Sequence, residues 1–390
     1  MAESAHGWQE DAPTSDQEVY RVYLVGDVGA VQTDGTDPVL GTLKKHLELV
    51  DERAAVVFLG DNLYCCGLPD SMDPGRADAE ARLRAILGAV DHFSGRIVFV
   101  PGNHDWNSSR PGGLESVARQ ERYVESYLNR GDTFLPSDGY PGPAKVKLAD
   151  GITLLAIDTE WYLTDQAKSF GDDGRNDIRE RDDLLTGLAE EIRDEEDERL
   201  LIVGHHPLMS NGQHGGHARA RDHLFPLTRF WKNAYVPLPL IGTLGVLYVR
   251  YLGVSEQDLA HVRYRRLSTA LKRIFRDHER LVYAAGHEHS LQYFQSGKDL
   301  HPNHFVVSGA GSKSSHVAGG GDAIFTATGP GYSTIHYYGD GSTWLSFWRV
   351  AADGNDPIHV FRTRLHAAEQ NYEPPAETGP GDPMDHPDYT

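Results

Sequence analysis

The sequence predicts an α/β layered fold in which two β-sheets lie between flanking helices. Two observations carry that expectation. Short β-branched runs alternate with helical patterns through the first half of the chain, and strand patterns with little helix between them close it. The early alternation suits a sheet with crossover helices, and the late run suits a second, more antiparallel sheet.

Taken in order, the first strand pattern is Tyr20–Val25, and helix Val39–Val50 follows with Pro38 in its opening turn, where a missing N–H is harmless. Strand Ala55–Leu59, helix Ala77–Val90, strand Ile97–Val100 and helix Leu114–Asn129 come next. After strand Ile152–Ile157 a helix fits Ile178–Asp194, then strand Leu200–Val203 and a long helical pattern over Gln257–Asp277. The remaining strand patterns are Leu281–Ala285, Phe305–Ser308, Ser333–Tyr338 and Thr343–Arg349. No internal repeat interrupts this order.

The chain has 390 residues, a formal net charge of −20 and 39% hydrophobic residues, ample for a buried core without disulfides or structural zinc. Asp and Glu number 57 against 37 Lys and Arg, so a polyanionic nucleic acid is an unfavourable partner. The two cysteines, Cys65 and Cys66, are adjacent and form no disulfide framework. They are expected to be buried thiols, or thiols beside a metal. Residues 1–18 are polar and expected to be disordered, 19–366 to form one folded domain, and 367–390 to be an acidic Pro/Gly-rich tail. The N-terminus lacks the basic and apolar regions of a secretory signal, so a cytoplasmic location is expected, with a secreted or periplasmic one as the alternative for a processed chain. Val236–Val254 is the most apolar run, but Pro237, Pro239 and Arg250 argue against a membrane span.

Five short motifs fall at the C-terminal ends of expected strands, where open α/β sheets place their ligands. They are Gly26-Asp27-Val28-Gly29, Gly60-Asp61-Asn62-Leu63-Tyr64, Gly102-Asn103-His104-Asp105, Gly204-His205-His206-Pro207 and Gly286-His287-Glu288-His289. In each, a glycine that lets the backbone turn is followed by an oxygen or nitrogen donor. Singly they are weak, since 41 Gly and 35 Asp in 390 residues give about four Gly-Asp pairs by composition alone. Five in order at strand ends point to one site. Their carboxylates, imidazoles and amide suit two hard-to-borderline cations, and a carboxylate at Asp61 is placed to bridge them.

The order of these motifs resembles the calcineurin-like metallophosphoesterases, and most closely the small, mammalian-type purple acid phosphatases. The likeness includes Tyr64 three residues after Asp61, His287-Glu288-His289-Ser290-Leu291-Gln292-Tyr293, and Val307-Ser308-Gly309-Ala310-Gly311, and spans residues 20–312. It implies a four-layer α/β/β/α sandwich of two mixed sheets. It also implies that Asp27, Asp61, Tyr64 and His289 hold one metal while Asp61, Asn103, His205 and His287 hold the other. In that family the first is ferric iron with a tyrosinate ligand, and the second is iron, zinc or manganese.

The implied activity is hydrolysis of phosphate esters by a metal-held hydroxide, with His104 as general acid and His214 as a second acid or substrate-binding group. Asp105 is expected either to orient His104 or to cap a turn. His206 is expected outside the ligand set or at the surface, and Asp158 is structural. A small phosphomonoester is the expected substrate. Phosphodiester or nucleotide hydrolysis on the same scaffold is the alternative, and a non-enzymatic metal-binding scaffold a third. The chain departs from the family in an insertion at about 218–278, which carries Pro237–Val254 and the basic run His261–Arg266. Its expected roles are a loop and helix packed on the sandwich, a lid over the site, or peripheral membrane contact through 236–266. The oligomeric state is left open.

Overall fold

The computed structural model describes residues 12–165, 180–217, 220–229, 231, 233–296, 302–351 and 356–369. Residues 1–11 of the expected N-terminal segment, 370–390 of the expected tail and 166–179 of a polar insertion lie outside the described residues.

In chain order the elements are β1 (Glu18–Val25), α1 (Pro38–Leu47), β2 (Ala54–Phe58), α2 (Arg76–Leu87), β3 (Arg96–Phe99) and α3 (Gly113–Leu128). Then come β4 (Ala144–Ala149), β5 (Ile152–Ala156), α4 (Thr159–Leu163), α5 (Arg181–Asp194), β6 (Arg199–Val203), α6 (Ala220–Leu224), α7 (Pro239–Leu252) and α8 (Val262–Phe275). The chain closes with β7 (Leu281–Ala285), β8 (Leu291–Gln295), β9 (His304–Ser308), β10 (Ala323–Ala327), β11 (Gly331–Tyr338), β12 (Thr343–Arg349) and β13 (Ile358–His366).

Two mixed sheets result, ordered β13-β12-β11-β1-β2-β3 and β10-β8-β9-β7-β6-β5-β4. The fold class therefore follows the expectation. The division of strands does not: β11–β13 are not a separate late sheet but extend the first one, because β11 pairs antiparallel with β1 from Tyr20↔Tyr337 to Leu24↔Ser333. Strand alternation assigns the layers. Val22, Leu24, Val57 and Val98 meet Leu154, Leu201, Val203 and Val282 between the sheets. Tyr23, Val25, Val56 and Phe58 point the other way, onto Leu43 of α1, Leu83 of α2 and Val117 of α3. Ile202 and Tyr283 do the same beneath Leu188 of α5 and Leu271 of α8. Strands buried on both faces read as unbroken apolar runs, which is why they were legible.

The expected helix Gln257–Asp277 begins only at Val262, since Gln257 and Asp258 serve as loop residues. Among the described residues no helix is long and apolar enough to cross a membrane. The three parallel strands β1–β2–β3 and the parallel pair β6–β7 each end in one of the five motifs.

The start of β1 is anchored by Glu18, which accepts from Arg21 and lies 2.9 Å from His336 Nδ1 on β11. Burial opposes its ionisation, but these partners prevail and lower its pKa to about 2. A carboxylate with a depressed folded pKa stabilises the fold above its unfolded value, and that gain is lost as pH falls toward about 2. Glu18→Gln is therefore expected to lower Tm at neutral pH, with the gap to wild type closing as pH falls below about 4.5. A gap that is constant down to the acid limit contradicts this.

Candidate metal centre

Three of the five motifs place their donor on strained backbone. Asp27, Asp61 and His287 have φ of 61°, 54° and 67°, the left-handed region, each directly after a glycine. Such conformations cost on the order of 1–3 kcal/mol and persist where the surroundings over-determine them. Here the loops are stitched to one another. The Asp27 N–H donates to the Gly60 carbonyl and the Gly286 N–H to the His205 carbonyl. The His287 N–H donates to Asp27 Oδ2 and the His104 N–H to Asp61 Oδ1. The glycines permit this closeness: a Cβ on Gly102 would lie 2.3 Å from the Asp61 nitrogen, and one on Gly60 2.6 Å from His205 Nδ1.

The donor atoms converge in two groups. Asn103 Oδ1, His205 Nε2 and His287 Nδ1 form a triangle with edges of 3.1, 3.2 and 3.2 Å, and Asp61 Oδ1 is 3.4 Å from His205 Nε2. Tyr64 Oη, Asp27 Oδ1 and His289 Nε2 form a second, with edges of 2.9, 3.0 and 3.5 Å. Ligands about 2.1 Å from one ion lie about 3.0 Å apart at right angles and about 3.4 Å apart at the tetrahedral angle. Both triangles match those spacings.

The outer contacts turn the right nitrogens inward. His205 Nδ1 donates to the Leu59 carbonyl and His287 Nε2 to the Gln257 carbonyl, which leaves the opposite nitrogens facing Asn103. Three acceptors within about 3.2 Å of one another repel unless a proton or a cation lies between them. Electrostatics agrees. Burial opposes charge on both Asp61 and His205, yet their mutual attraction, helped by other site charges, lowers Asp61 and raises His205. In the absence of a metal, these charges favour a proton on His205. Burial and the Asp27 and Asp61 charges push the Tyr64 phenol well above its ordinary value, so Tyr64 becomes a tyrosinate only when a cation offsets them. The donor set therefore fits two cations, with Asp61 between the groups.

The structure also brings the two non-ligand candidates to this place. His104 Nε2 is 3.8 Å from Asp61 Oδ2, while its Nδ1 donates to the Cys65 carbonyl. The His214 ring is 4.3 Å from that of His287, with Nδ1 3.4 Å from Asp258 Oδ1. Burial opposes a charge on His214, but Asp258 and Glu288 outweigh it and raise its pKa.

Several expectations are corrected. Of the two roles expected for Asp105, orienting His104 falls and capping holds: fully buried, it accepts from the N–H groups of Asn62, Leu63 and Gly102 and so locks two ligand loops together. His206 is not at the surface. Its Nε2 donates to Gln257 Oε1 and its Nδ1 accepts from Thr159 Oγ1, so although it lies close enough to His205 and His287 to join a ligand group, both nitrogens are engaged. Cys65 is exposed and Cys66 half-buried, because the loop after Tyr64 runs along the site's rim. Asp158 keeps its structural role, capping α4 and accepting from Trp106 Nε1 at 2.7 Å.

Three residues were missed from sequence. Gln257, in the insertion, holds His206, His287 and Glu160 at once. Glu288 accepts from Ser210, Gln213 and Gly215 and so fixes the loop that carries His214. Lys313 places its ammonium 3.0 Å from the centre of the Tyr64 ring, at the mouth of the site. Only Glu288 had a local signal, its place between His287 and His289. Beside Tyr64 opens a cleft of about 750 Å3, lined among others by Arg82, Asp78 and Arg119.

Elemental analysis of protein purified in the presence of iron, zinc or manganese is expected to give two ions per chain. His205→Ala should retain one, and Asp61→Ala should lose affinity at both positions. Because a raised His205 pKa means its proton competes with metal, affinity should fall as pH drops through the neutral range. Metal content unchanged in both variants contradicts the two triangles.

A family model described as calcineurin-like phosphoesterase matches residues 20–291. No curated protein matches the sequence. Among solved structures, the chain is similar to "GAP50 the anchor in the inner membrane complex of Plasmodium", with a TM-score of 0.56 and 15% identity over 90% of each chain. At that identity the likeness is one of fold. Two more distant matches have TM-scores of 0.49. One is a purple acid phosphatase from yellow lupin seeds (15% identity, 88% of this chain, 53% of that one), the other PhoD (11%, 92% and 73%).

Proposed function

The chain belongs to the calcineurin-like phosphoesterase family, a family that generally uses dinuclear metal centres, and from that premise we propose that it hydrolyses small phosphomonoesters. The observation that carries this reading is the pair of donor triangles with Asp61 grouped with members of both, and a proton donor, His104, 3.8 Å from Asp61.

Ester hydrolysis forms one P–O bond to water, breaks one to the leaving group and needs a proton delivered to that leaving oxygen. Bound cations would neutralise the phosphoryl oxygens and lower the pKa of a water enough to supply the attacking oxygen at mild pH. Asp27, Tyr64 and His289 would hold one cation, Asn103, His205 and His287 the other, and Asp61 both. His104 supplies the proton: its Nδ1–H is committed to the Cys65 carbonyl, so Nε2 is the nitrogen that faces the site. Lys313 adds a cation at the mouth for the ester's outer oxygens. Burial lowers its pKa, but Asp61 and Asp27 nearby work against that loss of charge. His214 and Gln257 close the opposite side, which favours a small guest. We further assign Tyr64 as a tyrosinate to ferric iron, the purple-type variant, with iron, zinc or manganese in the second position. A visible charge-transfer band lost in Tyr64→Phe supports this assignment; colourless protein with two bound zinc or manganese ions rejects it.

His104→Asn is expected to lower kcat about 10²–10³-fold on an alkyl phosphate, whose leaving group needs the proton, and much less on p-nitrophenyl phosphate. Equal losses on both would remove His104 from the acid role. Lys313→Ala should raise KM about tenfold with little change in kcat. Faster turnover of bis-p-nitrophenyl than of p-nitrophenyl phosphate would replace the monoester reading with the diester one.

A further inference from the structure

Surface helices of globular proteins normally turn their apolar stripe inward. Within the insertion, α8 packs on the sandwich as expected, but helix α7, PLIGTLGVLYVRYL, does the reverse. Its inward stripe is narrow: Gly242 abuts the His223 carbonyl, where a Cβ would come within 2.1 Å, and Val246 is buried. Leu240, Ile241, Leu244, Tyr248, Tyr251 and Leu252 face solvent, with Leu240 81% and Leu244 67% exposed. Of the eighteen large apolar side chains exposed among the described residues, thirteen lie between Leu224 and Val262. Scattered exposed apolar residues need no explanation, but this degree of clustering marks an interaction surface.

Charge is segregated to the same stretch. With 57 acids in 390 residues, composition would put about eight in residues 223–276; there are two, Glu256 and Asp258, against nine Lys or Arg. The stretch carries +7 in a chain whose total is −20. Arg250 on α7 is exposed, as are Arg265, Arg266 and Arg273 on α8.

We propose that α7 is a membrane-docking element that lies in the headgroup layer of an anionic bilayer. At 14 residues it is about 21 Å long, too short for a hydrocarbon core of about 30 Å, so it rests in the interface rather than spanning it. Its leucines and isoleucine enter the acyl boundary, the rings of Tyr248 and Tyr251 sit at headgroup level, and the exposed guanidinium groups of the same stretch meet lipid phosphates. A second copy of this chain is the poorer occupant. A two-fold contact sets the patch against itself and so brings two +7 stretches together. An anionic surface attracts this stretch and repels the remaining acidic surface, which orients the protein. Docking also bears on the centre, since Gln257 and Asp258, which contact His287 and His214, follow the end of α7 by five and six residues.

The test is sedimentation of the full chain with vesicles of phosphatidylcholine alone or of 7:3 phosphatidylcholine and phosphatidylglycerol. A double variant, Leu244→Glu with Tyr248→Glu, is run beside wild type, and its melting curve is compared to show that the fold is intact. Both side chains are exposed, so Tm should be unchanged. The expected result is at least tenfold stronger binding to the anionic vesicles than to the neutral ones, weakened by salt and reduced at least tenfold in the double variant. Failure of wild type to sediment with either vesicle, equal binding by the folded variant, or a concentration-dependent dimer abolished by the variant would each overturn the proposal. None of these outcomes depends on whether the centre hydrolyses phosphomonoesters.

Discussion

Asp27 and Asp61 are carboxylates with almost no solvent contact, held against a phenol and among imidazoles whose lone pairs face one another. Buried charge of this kind is tolerated only where opposite charge is supplied. Without a metal, the protein answers with an environment that raises the pKa of His205 and with hydrogen bonds from backbone N–H groups, including that of His287 to Asp27. Both are partial answers. Two cations satisfy every donor at once, and the surrounding structure is organised to receive them. The glycines at 26, 60, 102 and 286 let five loops approach closely, and Asp105 clamps the loops that carry Asp61 and Asn103.

The two sheets explain why these loops can be held so rigidly. β1, β2 and β3 end side by side in one sheet, β6 and β7 in the other, and the apolar layer between the sheets fixes one set of loops against the other. The strain in the left-handed Asp27, Asp61 and His287 is thus held by the hydrogen bonds that join these loops and by the core that positions them. A net charge of −20 is compatible with an anionic guest, because bound cations together with Lys313 would make the site locally positive while much of the acid lies elsewhere. Residues 223–276, which include α7, are the exception, poor in acid and carrying a net +7.

What could be read from sequence was whatever is encoded locally. A glycine followed by a donor at a strand end marks a ligand loop, and apolar runs such as Ala54–Phe58 mark strands covered on both faces. Edge strand β4, AKVKLA, was missed because its outward lysines dilute the apolar signal that central strands show. The joining of β11 to β1 was missed because pairing across some 300 residues leaves no local trace. Gln257 and Lys313 were illegible in their roles for the same reason. Gln257 lies 148 residues from Ser109, to which its amide donates, and nothing around it in sequence announces that contact. The exposure of α7 was illegible too: an apolar helix is expected inside, and only the packed structure shows which side it turns outward.

The most direct measurement is an anomalous-scattering map from crystals grown with manganese, collected on both sides of the metal edge. The account predicts two peaks per chain about 3.5–4 Å apart, one among Asp27, Tyr64 and His289, the other among Asn103, His205 and His287, with Asp61 between them. A single peak, or metal held by residues outside these two groups, would contradict it.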